Sequence, residues 1–389
     1  MEYKPFQGLN ISALGMGNMR LPTLENRGEI DEAKAREIIA YALDHGVNYF
    51  DTGYRYHEGA SEPFVGKALR QYPRDKWYVA TKFPGHMMHV NNGRVEPIGY
   101  LKGKNELSAE AIFEEQLARL GVEYFDFYLL HNLCETSYEY YTDPNIGTLE
   151  YLCKQKKAGR IRHLGFSAHG RAETIENFLN AFDCFEFVQI QLNYLDWVLQ
   201  DAKRKYEIIT AHGLPVIVME PVRGGRLANL PEPAAALLKA AAPGSSAASW
   251  AFRFLQGLPN VLTVLSGMSA MEQIAENVSL FERSNPLSEA ESAVLQRAVE
   301  TMVDLVPCTA CRYCEEACPK KLDIPKLIGM YNEAKNISVR SNHFTLDAMQ
   351  AHELPGACVG CGACRELCPQ TIDIPAVMRR YAQMLAQTP

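Results

Sequence analysis

Eight cysteines crowd the last 82 of the chain's 389 residues, in two runs of matching spacing. The first is Cys308-x₂-Cys311-x₂-Cys314-x₃-Cys318-Pro319, and the second is Cys358-x₂-Cys361-x₂-Cys364-x₃-Cys368-Pro369. Three closely spaced thiolates can wrap one corner of an iron–sulfur cubane, and the proline after the fourth ends the turn and sends that ligand elsewhere. Structural zinc usually takes paired Cys-x₂-Cys motifs, not triplets with a fourth cysteine before proline. A disulfide framework needs an oxidising compartment, for which nothing in the sequence argues. The expectation is two [4Fe–4S] clusters. Cys134, Cys153 and Cys184 have no partner at metal-ligand spacing and read as ordinary buried or half-buried thiols.

A second set of reactive side chains lies in the first half of the chain. Asp51 follows the apolar run 47–50, Lys82 follows 77–80 and Thr81, and His131 follows 124–130; Tyr56 lies five residues beyond Asp51. A carboxylate, an ammonium, an imidazole and a phenol can do proton-transfer chemistry if one structure gathers them. The elements that could gather them are legible. Apolar runs at 13–16, 47–50, 77–80, 124–130, 161–166, 187–192, 215–219 and 261–265 alternate with amphipathic stretches at 31–44, 62–71, 109–120, 148–158, 173–181, 202–212, 247–257 and 271–281. Eight β-α pairs in strict alternation predict an α/β fold, a closed (β/α)₈ TIM barrel rather than an open sheet. In such a barrel catalytic groups sit at the C-terminal strand ends, where Asp51, Lys82 and His131 fall.

Past the eighth pair, Ser284-Asn285-Pro286 breaks the pattern, and Ser288 with Glu291 predicts a capping box opening a helix to about 305. The expected division is a barrel at 1–283, a linker helix at 284–305 and a cysteine-rich domain at 306–389. Both cysteine runs continue into a Leu/Ile-Asp-Ile-Pro segment, and 325–336 and 345–352 read as helical. The long interval between the runs resembles the mainly α-helical ferredoxin-like modules attached to many redox enzymes. That resemblance implies crosswise ligation, one cluster on Cys308, Cys311, Cys314 and Cys368 and the other on Cys358, Cys361, Cys364 and Cys318. It also implies one-electron transfer, with a redox partner protein as a candidate partner. Clusters that only brace the fold are the alternative.

The barrel segments carry a further resemblance. Phe50-Asp51-Thr52-Gly53-Tyr54-Arg55-Tyr56, Thr81-Lys82, Leu129-Leu130-His131, Gly165-Phe166-Ser167, Val188-Gln189-Ile190-Gln191, Met219-Glu220-Pro221-Val222-Arg223-Gly224-Gly225 and Ile274-Ala275-Glu276-Asn277 resemble the aldo-keto reductase family. The resemblance implies a catalytic tetrad of Asp51, Tyr56, Lys82 and His131. Hydride addition to a carbonyl leaves an alkoxide that must be protonated. Tyrosine, with a pKa of about 10, needs a neighbouring ammonium to bring it lower. Lys82 would supply that charge, Asp51 would hold Lys82, and His131 would orient the carbonyl oxygen. Tyr54, three residues after Asp51, stands where the family has no proton donor.

For the nicotinamide cofactor, NADPH or NADH, the resemblance implies Ser167 and Gln189 at the carboxamide, and the loop of Met219, Pro221, Val222, Arg223 and Gly224. It places Glu276 and Asn277 at the adenine. The chain departs from the family at Ala168-His169, at Met219 in place of a stacking aromatic, and at Gly267 and Gln273 in place of the lysine and arginine that grip a 2′-phosphate. Arg223 or Arg226 are candidate replacements for those cations, and a bound flavin stays open as a second cofactor. In the loop 83–105, His86-Met87-Met88-His89 resembles a soft-metal cluster, against the simpler reading of a mobile loop over the substrate; His86, Tyr100 and Lys102 are its candidate specificity residues.

Net charge is −7, which gives no electrostatic footprint for nucleic acid or an anionic membrane. The longest apolar stretches, such as 214–219, are far shorter than a membrane span, and the first five residues lack the character of a signal segment. A cytoplasmic oxidoreductase is therefore expected. Its reaction would be nicotinamide-dependent interconversion of a small carbonyl and an alcohol, with electron transfer through the clusters. The alternatives are a reductase with structural clusters, or an electron-transfer module that uses the barrel as a flavin- or partner-binding scaffold.

Overall fold

A computed structural model describes residues 1–24, 28–91, 93–104, 106–308 and 311–387. Residue 105, the expected end of the long loop, lies outside these. Eight parallel strands close into a barrel: β1 (Leu14–Gly17), β2 (Tyr49–Asp51), β3 (Tyr78–Phe83), β4 (Phe125–Leu133), β5 (Ile161–Ala168), β6 (Val188–Gln191), β7 (Val216–Met219) and β8 (Val261–Ser266). Each strand pairs with the next in chain order, and β8 pairs with β1 through Val264–Leu14, Leu265–Gly15 and Ser266–Met16. All eight runs expected as strands form them. The parallel sheet is covered by helices, so both faces of each strand are buried and the strands read as continuous apolar segments.

The period of two along each strand decides what reaches the mouth. Tyr49, Ala80, Phe127, Leu129, Phe187, Ile217 and Leu265 fill the barrel interior. Two residues further along the same inward faces come Asp51, Lys82, His131, Gln189, Met219 and Gly267. Gly165 occupies the inward position on β5 because Phe187 already fills the space, and an added Cβ would stand 2.6 Å from that ring; Ser167 follows it. The opposite end of the barrel is plugged by a hairpin, Tyr3–Phe6 with Leu9–Ser12, whose Phe6 packs 5.7 Å from Phe127 and 4.9 Å from His163.

The helix Glu289–Met302 opens on the expected capping box, with Ser288 and Glu291 exchanging side-chain and backbone hydrogen bonds. It packs against Glu232–Ala241, a helix the sequence reading did not anticipate, around Leu238, Trp250, Leu295 and Val299. The segment after β3 is also more ordered than expected. Met88–Asn91 and Arg94–Pro97 form an antiparallel hairpin, while Met87 and Met88 are 3% and 0% exposed in the barrel's outer core. Those sulfurs are packing groups, which removes the soft-metal reading.

The cysteine-rich region repeats itself at an offset of fifty residues. A short helix, Tyr313–Glu316 or Ala363–Glu366, is followed by a long one, Ile324–Asn336 or Ile374–Ala386. Asp323 and Asp373 cap the long helices by accepting from Lys326 N at 3.0 Å and Ala376 N at 3.3 Å. Left-handed backbone recurs at Arg312 and Gly362, and at Lys321 and Thr371. Tyr331 and Tyr381 meet edge to face between the long helices, 6.0 Å apart.

Candidate active site and cluster cavities

At the bottom of the barrel mouth the Lys82 ammonium donates to Asp51 Oδ1 at 2.6 Å, to the Thr52 carbonyl at 2.6 Å and to Tyr56 Oη at 3.2 Å. An ammonium carries three hydrogens, and the structure supplies three acceptors. Lys82 and Asp51 side chains are 1% and 4% exposed. Burial disfavours the Lys82 charge most strongly, but the Asp51 carboxylate and the Tyr56 oxygen together carry its pKa upward. Because Tyr56 Oη accepts from Lys82, its own proton is free for a ligand. Tyr54 takes no part: its hydroxyl bonds Glu115 and Lys104 on the outer wall.

Here the structure corrects one expectation. Lys82 does pull the Tyr56 pKa down, but burial pushes it up harder, and the net direction is upward. Tyr56 is held as a neutral phenol, which is the protonation state a proton donor needs. His131 lies edge to face against Tyr56, with ring centroids 5.8 Å apart. Burial, then the neighbouring His86 and Lys82, push its pKa well below the usual imidazole value. A β-bulge between Leu130 and Leu133 aims this stretch. Just beyond His131, Asn132 N donates to Ser167 Oγ at 2.8 Å, which ties the ends of β4 and β5 together.

Above these groups opens a cavity of about 890 Å³, within the range of cofactor sites. It is lined by Asp51, Tyr56, Lys82 and His131, and also by Ser167, Gln189, Met219, Pro221, Val222, Gly224, Gln273, Glu276 and Asn277. Gln189 donates to the Met219 sulfur at 3.6 Å and leaves its buried Oε1 without a partner. Arg223 departs from expectation: it is not among the lining residues, and its guanidinium is buried 3.1 Å from Asp196. Arg226 likewise faces elsewhere, donating to the Asn336 carbonyl at 3.1 Å. The cation the sequence reading missed is Arg20, from the turn after β1. It lies across Gly267, where an added Cβ would come within 3.2 Å of it, and its guanidinium stands 3.8 Å from Glu220 on the far side of the cleft. Left-handed backbone at His57, Glu58, Asn132, Glu220 and Arg223 clusters around this mouth, as strained conformations often do at functional sites.

The cysteines gather around two further cavities. One is lined by Cys308, Cys311, Cys314 and Cys368, with Pro325, Ile328, Ile372 and Ile374. The other is lined by Cys318, Cys358, Cys361 and Cys364, with Leu322, Ile324, Pro375 and Met378. Each void therefore draws three sulfurs from one run and the fourth from the other. Among the described residues no three His, Cys, Asp or Glu side chains come together as a single-ion site. Four sulfurs disposed around an apolar void fit a multi-iron cluster better than zinc, which draws four ligands onto one point.

The cysteine-rich region rests on the mouth side of the barrel. Arg171, four residues after Ser167, donates to the Lys326 carbonyl at 3.4 Å, and Thr345 donates to Glu135 at 3.3 Å. His169 lines the mouth and meets Phe344 at 6.3 Å between ring centroids.

Comparison with known proteins agrees with this architecture. Residues 13–300 match the aldo/keto reductase family, and residues 307–372 match the 4Fe-4S dicluster domain. The NADH-specific methylglyoxal reductase of Escherichia coli is 25% identical over 332 residues, spanning 76% of this chain and 96% of that protein. A probable aldo-keto reductase of Glycine max is 29% identical over 222 residues, 56% of this chain and 58% of the plant protein. The solved holo form of an aldo-keto reductase from Bacillus halodurans aligns with a TM-score of 0.60 at 29% identity, covering 77% of this chain and 96% of that one. With its closed barrel and its cysteine-lined helical region, the chain belongs to the aldo/keto reductase family and carries a C-terminal 4Fe–4S dicluster domain, an oxidoreductase architecture.

Proposed function

We propose that the barrel interconverts a small carbonyl compound and an alcohol with a nicotinamide cofactor in the mouth. We further propose that two [4Fe–4S] clusters in the C-terminal region exchange electrons with this site or with a redox partner protein. The observation that carries the first part is the buried Asp51–Lys82–Tyr56 chain at the floor of a cavity large enough for a dinucleotide. When bound, the nicotinamide supplies or accepts the hydride. Tyr56 gives its proton to the carbonyl oxygen in the reduction and takes it back in the reverse direction. Lys82 replenishes no proton itself; it fixes the Tyr56 oxygen and stabilises phenolate as the proton leaves. Asp51 holds Lys82 charged, and His131, a neutral imidazole, orients the carbonyl oxygen. Ser167 and Gln189 would hold the carboxamide of the cofactor, with Glu276 and Asn277 at its adenine end.

The cofactor we favour is NADH, because Gly267 and Gln273 bring no cation to the adenine end and Arg20 already faces Glu220. The Escherichia coli relative, named as NADH-specific, points the same way. For the clusters, Cys308, Cys311, Cys314 and Cys368 would hold one, and Cys318, Cys358, Cys361 and Cys364 the other; they supply one-electron transfer. Electron exchange is favoured over mere bracing because the region is seated beside the mouth, through Arg171 and His169, rather than at the closed end. The test is an anaerobic visible spectrum before and after NADH or NADPH. Bleaching of the iron–sulfur band supports exchange, and a separate flavin band would identify a second cofactor. A band unmoved by either nicotinamide counts against direct exchange.

A further inference from the structure

On the outer wall of the barrel, in different β-α units, two cysteines meet that belong to neither cysteine run. Cys153 lies in the helix Thr148–Lys157, and Cys184 in the segment between the helix Ala172–Ala181 and β6. Their side chains hydrogen-bond each other, and both are half-buried against the barrel's outer core. Lys156, three residues after Cys153 on the same helix, fixes the approach. Its ammonium donates to the Cys184 carbonyl at 3.3 Å and pairs with Glu186 at 2.8 Å. Among the described residues no third His, Cys, Asp or Glu completes a metal site around the two sulfurs. The pair is electrically unequal. The hydrogen bond with Cys184, helped by Lys156 and Lys157, brings the Cys153 pKa down to about 7 against burial and Asp183. The same bond, then burial, pushes Cys184 upward. Near neutrality about half of Cys153 is therefore thiolate, where an ordinary thiol of pKa about 8.5 is only about 3% ionised. Cys184 keeps its proton and donates it to the Cys153 sulfur. A thiolate beside lysines, with a second thiol in contact, is the arrangement that thiol–disulfide exchange needs.

We propose that Cys153 and Cys184 form a redox-active dithiol, a modification site separate from the mouth and the cluster cavities, whose co-reactant is a small-molecule disulfide such as oxidised glutathione. The Cys153 thiolate attacks one sulfur of that disulfide. A mixed disulfide forms, and the first small thiolate leaves and takes up a proton. Cys184 then gives up its proton and attacks the Cys153 sulfur, which closes the Cys153–Cys184 bond and releases the second small thiol. Two protein thiols are oxidised to one disulfide, and their two electrons and two protons leave on the two small thiols. Excess small thiol runs the exchange backward. The bond ties the helix Thr148–Lys157 to the segment that leads into β6, the strand that carries Gln189.

The experiment treats the full-length cluster-loaded protein anaerobically with excess oxidised glutathione, blocks the remaining thiols with iodoacetamide and maps the peptides by mass spectrometry. A linked Cys153–Cys184 peptide is expected, with Cys134 left as a free thiol. Cys184→Ser should stop after the first step, leaving glutathione on Cys153, whereas Cys153→Ser should leave Cys184 unmodified. A second measurement needs no variant. Alkylation of Cys153 in the reduced wild type should slow about tenfold from pH 8 to pH 6, as a pKa of about 7 requires, where an ordinary thiol would slow about eightyfold. Absence of the linked peptide overturns the inference, as does glutathione that settles on Cys184, or an eightyfold fall in alkylation. Both wild-type measurements decide the matter whether or not a variant folds.

Discussion

Removing the Tyr56 hydroxyl should separate the two kinds of chemistry in this chain. Tyr56→Phe deletes the proposed proton donor but leaves the Lys82–Asp51 pair, so carbonyl turnover should fall by about 10²- to 10⁴-fold while the iron–sulfur spectrum stays as in the wild type. Near-wild-type turnover would remove Tyr56 from the mechanism. The pH sign follows from the same residue. Its pKa is raised above the ordinary tyrosine value, chiefly by burial, so the donor stays protonated through neutrality, and reduction should lose rate only above about pH 10. At the other end of the cavity, Gln273→Arg would add a cation near the proposed adenine site. Steady-state kinetics with both nucleotides should show kcat/KM for NADPH rising about tenfold relative to NADH; an unchanged ratio would mean this position does not meet the ribose phosphate. Asp51, Lys82 and His131 were legible as polar residues ending apolar runs, and Tyr56 came with the motif around Asp51. Arg20 was not, because nothing local marks it; only barrel closure brings the turn after β1 across Gly267. Arg223 misled for the complementary reason. Its side chain is drawn to Asp196, itself anchored by Gln191 and Asn193 at 2.8 and 2.6 Å.

Elements were legible where one period dominated. The strands showed as apolar runs, and amphipathic helices such as Ala109–Leu120 and Ala247–Gln256 sit within a residue of expectation. Glu232–Ala241 escaped because it is an extra helix inserted between β7 and the expected helix at 247–257, and its burial depends on a partner helix more than fifty residues later. The hairpin after β3 escaped because its outer strand, Arg94–Pro97, is mostly exposed, and its Met-Met pair sits beside histidines that suggested chemistry. Packing at strand scale yields its own prediction. Gly165 is where β5 yields to Phe187, with carbonyl and ring atoms both 2.6 Å from an added Cβ. Gly165→Ala should therefore overpack the barrel and cost about 1–3 kcal/mol, read as a lower denaturant midpoint at unchanged slope. Because Ser167 lies two residues along, nicotinamide affinity should fall as well. A variant as stable as the wild type would show that β5 can shift without strain.

On the scale of the whole molecule, the junction between barrel and cluster region is a polar cavity of about 40 Å³, roomy enough for water. Its walls come from both sides: His169, Arg171 and Lys205 from the barrel, Glu333, Asn342 and Thr345 from the cluster region. Lys205 and Glu333 are both 7% exposed. This placement sets an electrostatic condition on how the two halves sit together. Burial raises the Glu333 pKa to about 7, against the pull of Arg171 and Lys205, whereas an unfolded glutamate titrates near 4.3. Between those values the folded chain keeps a proton that the unfolded chain has released. Stability should therefore fall as pH rises from about 4.5 to about 7, and stay lower above that. Glu333→Gln fixes the neutral form. Its thermal midpoint should match the wild type near pH 5 and exceed it at pH 8, and parallel curves across that range would remove Glu333 as the cause. His169 lines both this junction and the catalytic mouth. A pH-dependent loosening at Glu333 would thus be felt beside the barrel mouth, so the Gln variant should also flatten any change in nicotinamide KM between pH 5 and 8.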